Sequence, residues 1–324
     1  MKPRARRSRA IVPLDLSRVR TVALGRRRSI VKAVALGRPV RRGLTVRAFL
    51  DGLPDILAGR DLRDAAARIA RALRRGRPVV LGMGAHPLKV GLSPLIVDLI
   101  EHDRLAAVAM NGACLVHDFE LACAGATSED VGPGLDEGVF GMARETADFL
   151  NRAIRDGVAE GMGLGAAVGE AIDAAPLRFR KLSVLAAAAR ARIPATVHVA
   201  VGTDIIHMHP GADGAAIGEG SLEDFRLLAA VVAGLEGGVY LNLGSAVVLP
   251  EVFVKALNLA RNLGHPVRDL TTVDMDFHRH YRPSVNVVAR PTAAGGRGIQ
   301  LTGHHEIMVP LLWAAAEEAL ARRG

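Results

Sequence analysis

The chain is poor in several things at once. Of its 324 residues only 3% are aromatic, two are cysteine, and only five of the 42 basic residues are lysine. Cys114 and Cys123 are too few for a disulfide framework, so a reduced, cytoplasmic setting is expected. No apolar run reaches the roughly 18–20 residues that would span a bilayer, which argues against a membrane partner. Half the residues are nonetheless hydrophobic and 23% are charged, which excludes a disordered or collagen-like polymer. The length suits one large α/β domain or two smaller ones.

The formal net charge of +9 divides unevenly. Residues 1–50 hold fifteen basic residues and one acid, Asp15, a sum of +14, so the remaining 274 residues sum to −5. The protein is a mildly acidic body with a basic head. Residues 1–12 read as a solvated basic tail, without the apolar core of a secretory signal. An Arg-rich, acid-poor start is also the composition of a transit peptide, the weaker reading. No aromatics interleave the arginines and no nucleic-acid recognition fold follows, so a nucleic-acid partner is not expected. We place a basic N-terminal extension at residues 1–43 and a single α/β domain at residues 44–324.

Val46–Arg75 carries helical periodicity, with Phe49, Leu53, Ile56 and Leu57 on one face and Leu62, Ala66, Ile69 and Leu73 on another. After Pro78 short apolar runs alternate with longer amphipathic ones. Strands are predicted at Val79–Met83, Leu105–Met110, Ala195–Val201, Val239–Leu243 and Val267–Val273, with a sixth candidate at Gly298–Leu301. Helices are predicted at Leu92–Ile100, from Val116, through Gly138–Ile193 with breaks at Gly161–Gly165 and Pro176, and at Ser221–Gly234, Pro250–Leu263 and Glu306–Arg322. Ser221 followed by Asp224 has the spacing of a capping box. Strand–helix alternation predicts a Rossmann-like, doubly wound, mostly parallel sheet with helices on both faces. Six strands are too few for an eight-stranded β/α barrel.

Ligands of open parallel sheets bind outside the carboxyl ends of the strands. The segments at those ends here are Gly82–Lys89, Asn111–Asp118, Gly202–Pro210, Asn242–Ser245, Thr271–Tyr281 and Thr302–Glu306. Eight of the eleven histidines fall in them: His86, His117, His207, His209, His278, His280, His304 and His305. Such segregation to one edge predicts a polar cleft. Gly82-x-Gly84 opens like a dinucleotide fingerprint, but Pro87 occupies the third glycine position, so the motif fails. Helix-start amides after the first strand could still cradle a phosphate. His207-x-His209 puts two imidazoles on one side of an extended segment. With His304 they make a candidate set for a divalent metal. Lys89 is the lysine in the predicted cleft, a candidate imine former or anion contact. Ser245 follows a glycine but lacks the G-x-S-x-G elbow.

Taken together these turns resemble the deoxyhypusine synthase family. The resemblance rests on the segment Leu81–Pro94, on Asn111–Asp118, on Ile193-Pro194 through Asp204, on Gly244-Ser245 through Asn262, and on Thr271-Thr272 with Pro310-Leu-Leu. It implies a Rossmann-like fold, NAD as cofactor, and a homotetramer with active sites between subunits. It also implies action on a small amine or polyamine. By position, cofactor roles pass to Gly84, Ala85, His86, Asn111, Gly112, Asp118, Asp204, Thr272 and His304. Catalytic candidates are His207, His209, Lys89, His305 and Glu306, and Asp118, Asp204 and Glu306 are expected to hold the amine.

The chain departs from the family at its chemical centre. The family's imine-forming lysine has no counterpart in Arg282–Pro291, and its catalytic histidine has none in Val247–Glu251. The usual enzyme-lysine route is therefore not expected. The alternatives are a metal-dependent hydrolase or lyase using the histidine-rich cleft, and a non-catalytic binding protein on the same fold.

Overall fold

The computed structural model describes residues 11–322. Most of the predicted basic tail, residues 1–10, lies outside the described residues. Residues 11–45 hold three single 3-10 turns, Leu16–Arg18, Leu24–Arg26 and Ala33–Ala35. Ile11, Ile30 and Val34 there are each more than 90% exposed, so this stretch adds nothing to the core.

The helical stretch expected over 46–75 is two helices, α1 (Val46–Gly52) and α2 (Leu57–Arg74). A buried five-residue strand follows, β1 (Val79–Met83), then α3 (His86–Lys89) and α4 (Ser93–Glu101). Next come β2 (Ala107–Asn111), α5 (Gly112–Ala124), α6 (Val131–Asp136), α7 (Arg144–Ala159), α8 (Leu164–Ala174) and α9 (Val184–Ala191). β3 (Ala195–His198), α10 (Gly214–Ala233), β4 (Val239–Leu243) and α11 (Val248–Asn262) carry the chain to β5 (Thr271–Asp276). A short α12 (Tyr281–Pro283), a π turn over Ser284–Ala289, β6 (Arg297–Thr302) and α13 (His305–Leu320) complete it.

The six strands form one parallel sheet in the order β3-β2-β1-β4-β5-β6. This is the predicted doubly wound architecture, with the sixth strand present. Alternation along the strands separates two cores. Leu81, Met83, Leu241, Leu243, Val273 and Met275 pack on one face with Ile69 of α2, Leu115 of α5 and Leu312 of α13. Val80 and Tyr240 face the other way, against Leu228 and Val232 of α10 and Phe253 and Leu257 of α11. Tyr240 and Phe253 stack with ring centroids 3.8 Å apart. No helix among the described residues is long and apolar enough to cross a membrane.

Two sequence expectations need correcting. α10 starts at Gly214, where the Asp213 carboxylate accepts from the amides of Ala215 and Ala216. Ser221 and Asp224 are therefore interior to α10 rather than a cap. Asp224 is fully buried and accepts from the amides of Gly165 and Val197, tying α10 to α8 and β3. β5 is also displaced toward the carboxyl side, because Asp274 and Asp276 are strand residues, 1% and 5% exposed. Asp274 tolerates burial because Asn242 and Gln300 donate to its two oxygens at 2.8 and 3.0 Å.

Candidate functional site

The strand order reverses between β1 and β4. The chain leaves β1 toward β2, and leaves β4 toward β5, so the two exit loops diverge over a crevice. Two glycines let the loops touch at its base. A Cβ on Gly84 would lie 2.4 Å from the Gly244 carbonyl oxygen. Gly244 is left-handed, φ +59°, and a Cβ there would lie 2.8 Å from Cε1 of His305.

His305 opens α13 and is fully buried. Its Nε2 lies 3.1 Å from the Met275 carbonyl, and its Nδ1 lies 2.8 Å from Nδ1 of His86. A carbonyl only accepts, so Nε2 of His305 carries the proton and its Nδ1 is the acceptor. His86 must then donate from Nδ1, which leaves its Nε2 with a free lone pair. Burial, and then the neighbouring His305, hold the His86 pKa below the usual histidine value. Asp276 extends the chain of groups, with Oδ1 4.0 Å from Nε2 of His305 and Oδ2 3.8 Å from Nε2 of His280. Phe277, 40% exposed, packs against His86 at 5.4 Å between ring centroids and lies nearly parallel to His304 at 6.2 Å. Glu306 is exposed on the first turn of α13, and Lys89 is exposed at the end of α3.

A cavity of about 170 Å³ lies beside α5 at the ends of β2 and β3. Lys89, His117, Glu120, Glu129 and Asp204 line it, with Val131 at the start of α6 and Phe140 from the loop before α7. Asn111 and Gly112 mark the start of α5, where the Asn111 side-chain oxygen accepts from the Cys114 thiol. Gly112 is required here too, since a Cβ would fall 2.0 Å from Oδ2 of Asp204. That Asp204 oxygen is buried without a hydrogen-bond partner, and burial raises the pKa of the group.

Several predicted site residues sit elsewhere. Asp118 does not face the cleft: it is fully buried on the inner side of α5. It accepts from the Ser183 hydroxyl and the amides of Val184 and Leu185, so it anchors the start of α9. Thr272 is likewise fully buried within β5. The segment holding His207 is a 3-10 turn, not an extended strand, so His207 and His209 do not share a side. Nδ1 of His207 accepts from the amides of Gly202 and Asp204, while Nε2 of His209 donates to the Gly141 carbonyl. Among the described residues no three His, Cys, Asp or Glu side chains converge as a metal set, so His207, His209 and His304 do not form one.

Sequence reasoning missed Glu120 and Glu129, and it placed His117 and Asp276 in the cleft-edge segments without giving either a role. The alternation of Thr272, Asp274 and Asp276 with Val273 and Met275 was the available signal for a strand ending in a site acid.

No protein-family profile matches the chain, and no curated protein matches it. Solved structures do. A candidate deoxyhypusine synthase from Entamoeba histolytica superposes with a TM-score of 0.52 at 14% identity, over 89% of this chain and 98% of that one. AgrE in ternary complex with ornithine and NAD+ gives 0.52 at 16% identity, over 81% of this chain. A candidate LOR/SDH protein from Methanococcus maripaludis S2 gives 0.52 at 13% identity, over 82% of this chain and 69% of that one. The chain spans only about a third of AgrE, 34%, and of the cyanobacterial arginine dihydrolase ArgZ, 32%. At these identities the likeness is one of fold.

Proposed function

We propose that this chain is an NAD-binding enzyme of deoxyhypusine-synthase-like fold that acts on a small amine without an enzyme-lysine imine. The observation that carries the reading is the His86–His305 pair at the point where the strand order reverses. The likeness to a fold seen elsewhere with NAD+ and ornithine supports it.

The crevice residues fit a dinucleotide. Gly84, Ala85 and His86 line the first turn and His304 stands at the opposite rim, while Asn111 and Gly112 head the neighbouring 13-residue helix α5, beside Asp204. Backbone amides at such turns suit pyrophosphate. NAD, when bound, supplies a hydride acceptor. The chain's own residues handle the proton. Nε2 of His86 takes it from the substrate, and His305 holds the ring by accepting from Nδ1. The partial burial that lowers the His86 pKa keeps that ring neutral, hence ready to accept, at neutral pH. Asp276 and Glu306 lie close enough to favour the imidazolium that forms.

Lys89 is not enclosed as an imine-forming lysine would be, and we assign it to ligand contact. We place the catalytic unit in residues 44–324 and expect it to assemble as a homotetramer. The metal-dependent alternative lacks a convergent set of three His, Cys, Asp or Glu side chains among the described residues. Titration calorimetry with NAD+, followed by an absorbance assay at 340 nm over a panel of amines, tests the reading. Wild type should bind NAD+ and reduce it with a suitable amine. His86→Gln should bind NAD+ and fail to reduce it. Absence of NAD+ binding by the wild type rejects the proposal.

A further inference from the structure

The cavity beside α5 carries more specific information than the crevice. At about 170 Å³ it lies below the ~300–1,000 Å³ of sites for drug-sized molecules, so its ligand is small. Its polar wall can be assigned group by group. Asp204 is 93% buried by its 7% relative exposure, and its Oδ2 has no partner within the protein. That oxygen lies against Gly112 at the head of α5, so the carboxylate stands on the cavity wall with one oxygen unpaired by the protein. Thr127 donates its one hydroxyl hydrogen to Glu120 at 2.5 Å, so Nδ1 of His117, 2.7 Å away, must donate to the Thr127 oxygen. The other ring nitrogen of His117 is then a bare acceptor. Burial holds the pKa of this ring at about 4, so it is uncharged at neutral pH.

The cavity thus presents three carboxylates, one neutral imidazole acceptor and one cation, Lys89. A simple diamine would satisfy the acids but would set its own charge against Lys89. A ligand with two ammonium groups and one carboxylate offers a counter-charge to Lys89 and to the acids together. We propose that this cavity binds a basic α-amino acid, with its carboxylate on Lys89 and its ammonium groups on Asp204 and the Glu120–Glu129 wall. The proposal deepens the amine reading above by naming the substrate class, and it rests on that reading for its link to catalysis. The same geometry keeps for Asp204 the amine-holding role read from the sequence and drops its cofactor role.

The test is titration calorimetry on the full chain in the absence of NAD+. The probes are L-ornithine, L-lysine, putrescine and L-norvaline, the last lacking the distal amine. Ornithine or lysine should bind at least tenfold more tightly than putrescine and norvaline. Lys89→Met, a change at an exposed position, should abolish or invert the preference over putrescine. Asp204→Asn should weaken the amino acid at least tenfold. Should Asp204→Asn fail to fold, Glu120→Gln carries the same expectation. Putrescine binding as tightly as ornithine to wild type, an unchanged preference in Lys89→Met, or no binding of any probe overturns the proposal. Because NAD+ is left out, a failure of the dinucleotide reading leaves this result distinguishable.

Discussion

Nδ1 of His86 and Nδ1 of His305 lie 2.8 Å apart, although the two residues are 219 positions apart in the chain. The Met275 carbonyl decides which of the two nitrogens holds the proton, because it can only accept from Nε2 of His305. A main-chain group of β5 therefore sets the protonation pattern of a side chain at the start of α3.

This predicts a measurable tautomer pair. Nitrogen-15 spectra of the imidazoles should show His305 protonated at Nε2 and His86 at Nδ1. His86 should titrate below 6.5, since its pKa is lowered mainly by burial. The sign follows: a depressed folded pKa keeps the ring neutral as pH falls past 6.5, so the acid limb of any His86-dependent activity should lie below that value. The stability it contributes is present above pH 6.5 and lost as pH falls through the folded pKa. A His86 titration at or above 6.5 contradicts the arrangement.

Gly244→Ala should be costly. The residue would keep φ near +59°, and its Cβ would press on Cε1 of His305, a ring pinned on both nitrogens. The left-handed backbone alone costs about 1–2 kcal/mol for a residue with a Cβ. We expect about 2–3 kcal/mol of lost stability in urea denaturation once the ring contact is added. A loss below about 0.5 kcal/mol would show that the two loops are not held together as described.

Asp118 separates a structural role from a cofactor role. Asp118→Ala strips a buried acceptor from three donors, the Ser183 hydroxyl and the amides of Val184 and Leu185. A loss of about 3–5 kcal/mol is expected, at roughly 1–3 kcal/mol per stranded buried group. Burial raises the Asp118 pKa to about 6 from its ordinary 3.8. The folded state therefore binds more protons than the unfolded state between about pH 4 and 6. This contribution to stability is full below pH 4 and is lost as pH rises through 6. The variant should lack that component of the pH dependence. Unchanged stability with a selective loss of NAD+ affinity would return Asp118 to the cofactor.

The ends of β1 and β4 were legible to the residue because an uncharged, mostly apolar five-residue run lies between Pro78 and Gly84, and another between Gly238 and Gly244. β5 was not, because Asp274 and Asp276 look like loop residues until Asn242 and Gln300 are known to satisfy Asp274. α10 was read seven residues short because Gly214–Gly220 has weak intrinsic helix preference; Asp213 and burial of Ala216 and Ile217 against the core override it. The histidine segregation placed His86, His304 and His305 at the carboxyl edge of the sheet, where the structure has them. It could not pair His86 with His305 or remove Asp118, because both depend on contacts distant in sequence. The i, i+2 spacing of His207 and His209 misled because the local backbone is a 3-10 turn.

The sheet order has a consequence for how the chain comes off the ribosome. β1 pairs with β2 at a separation of about 27 residues, Val80 opposite Ala107, but with β4 at 160, Val79 opposite Val239. Closing the longer loop costs about 1.6 kcal/mol more by loop-length scaling. Synthesis delivers β1, β2 and β3 as one half-sheet well before β4 exists. Until residue 243 emerges, the apolar edge of β1 is bare and open to pairing with other chains. The His86 turn waits longer still, because its partner helix α13 (His305–Leu320) follows β4 by some sixty residues.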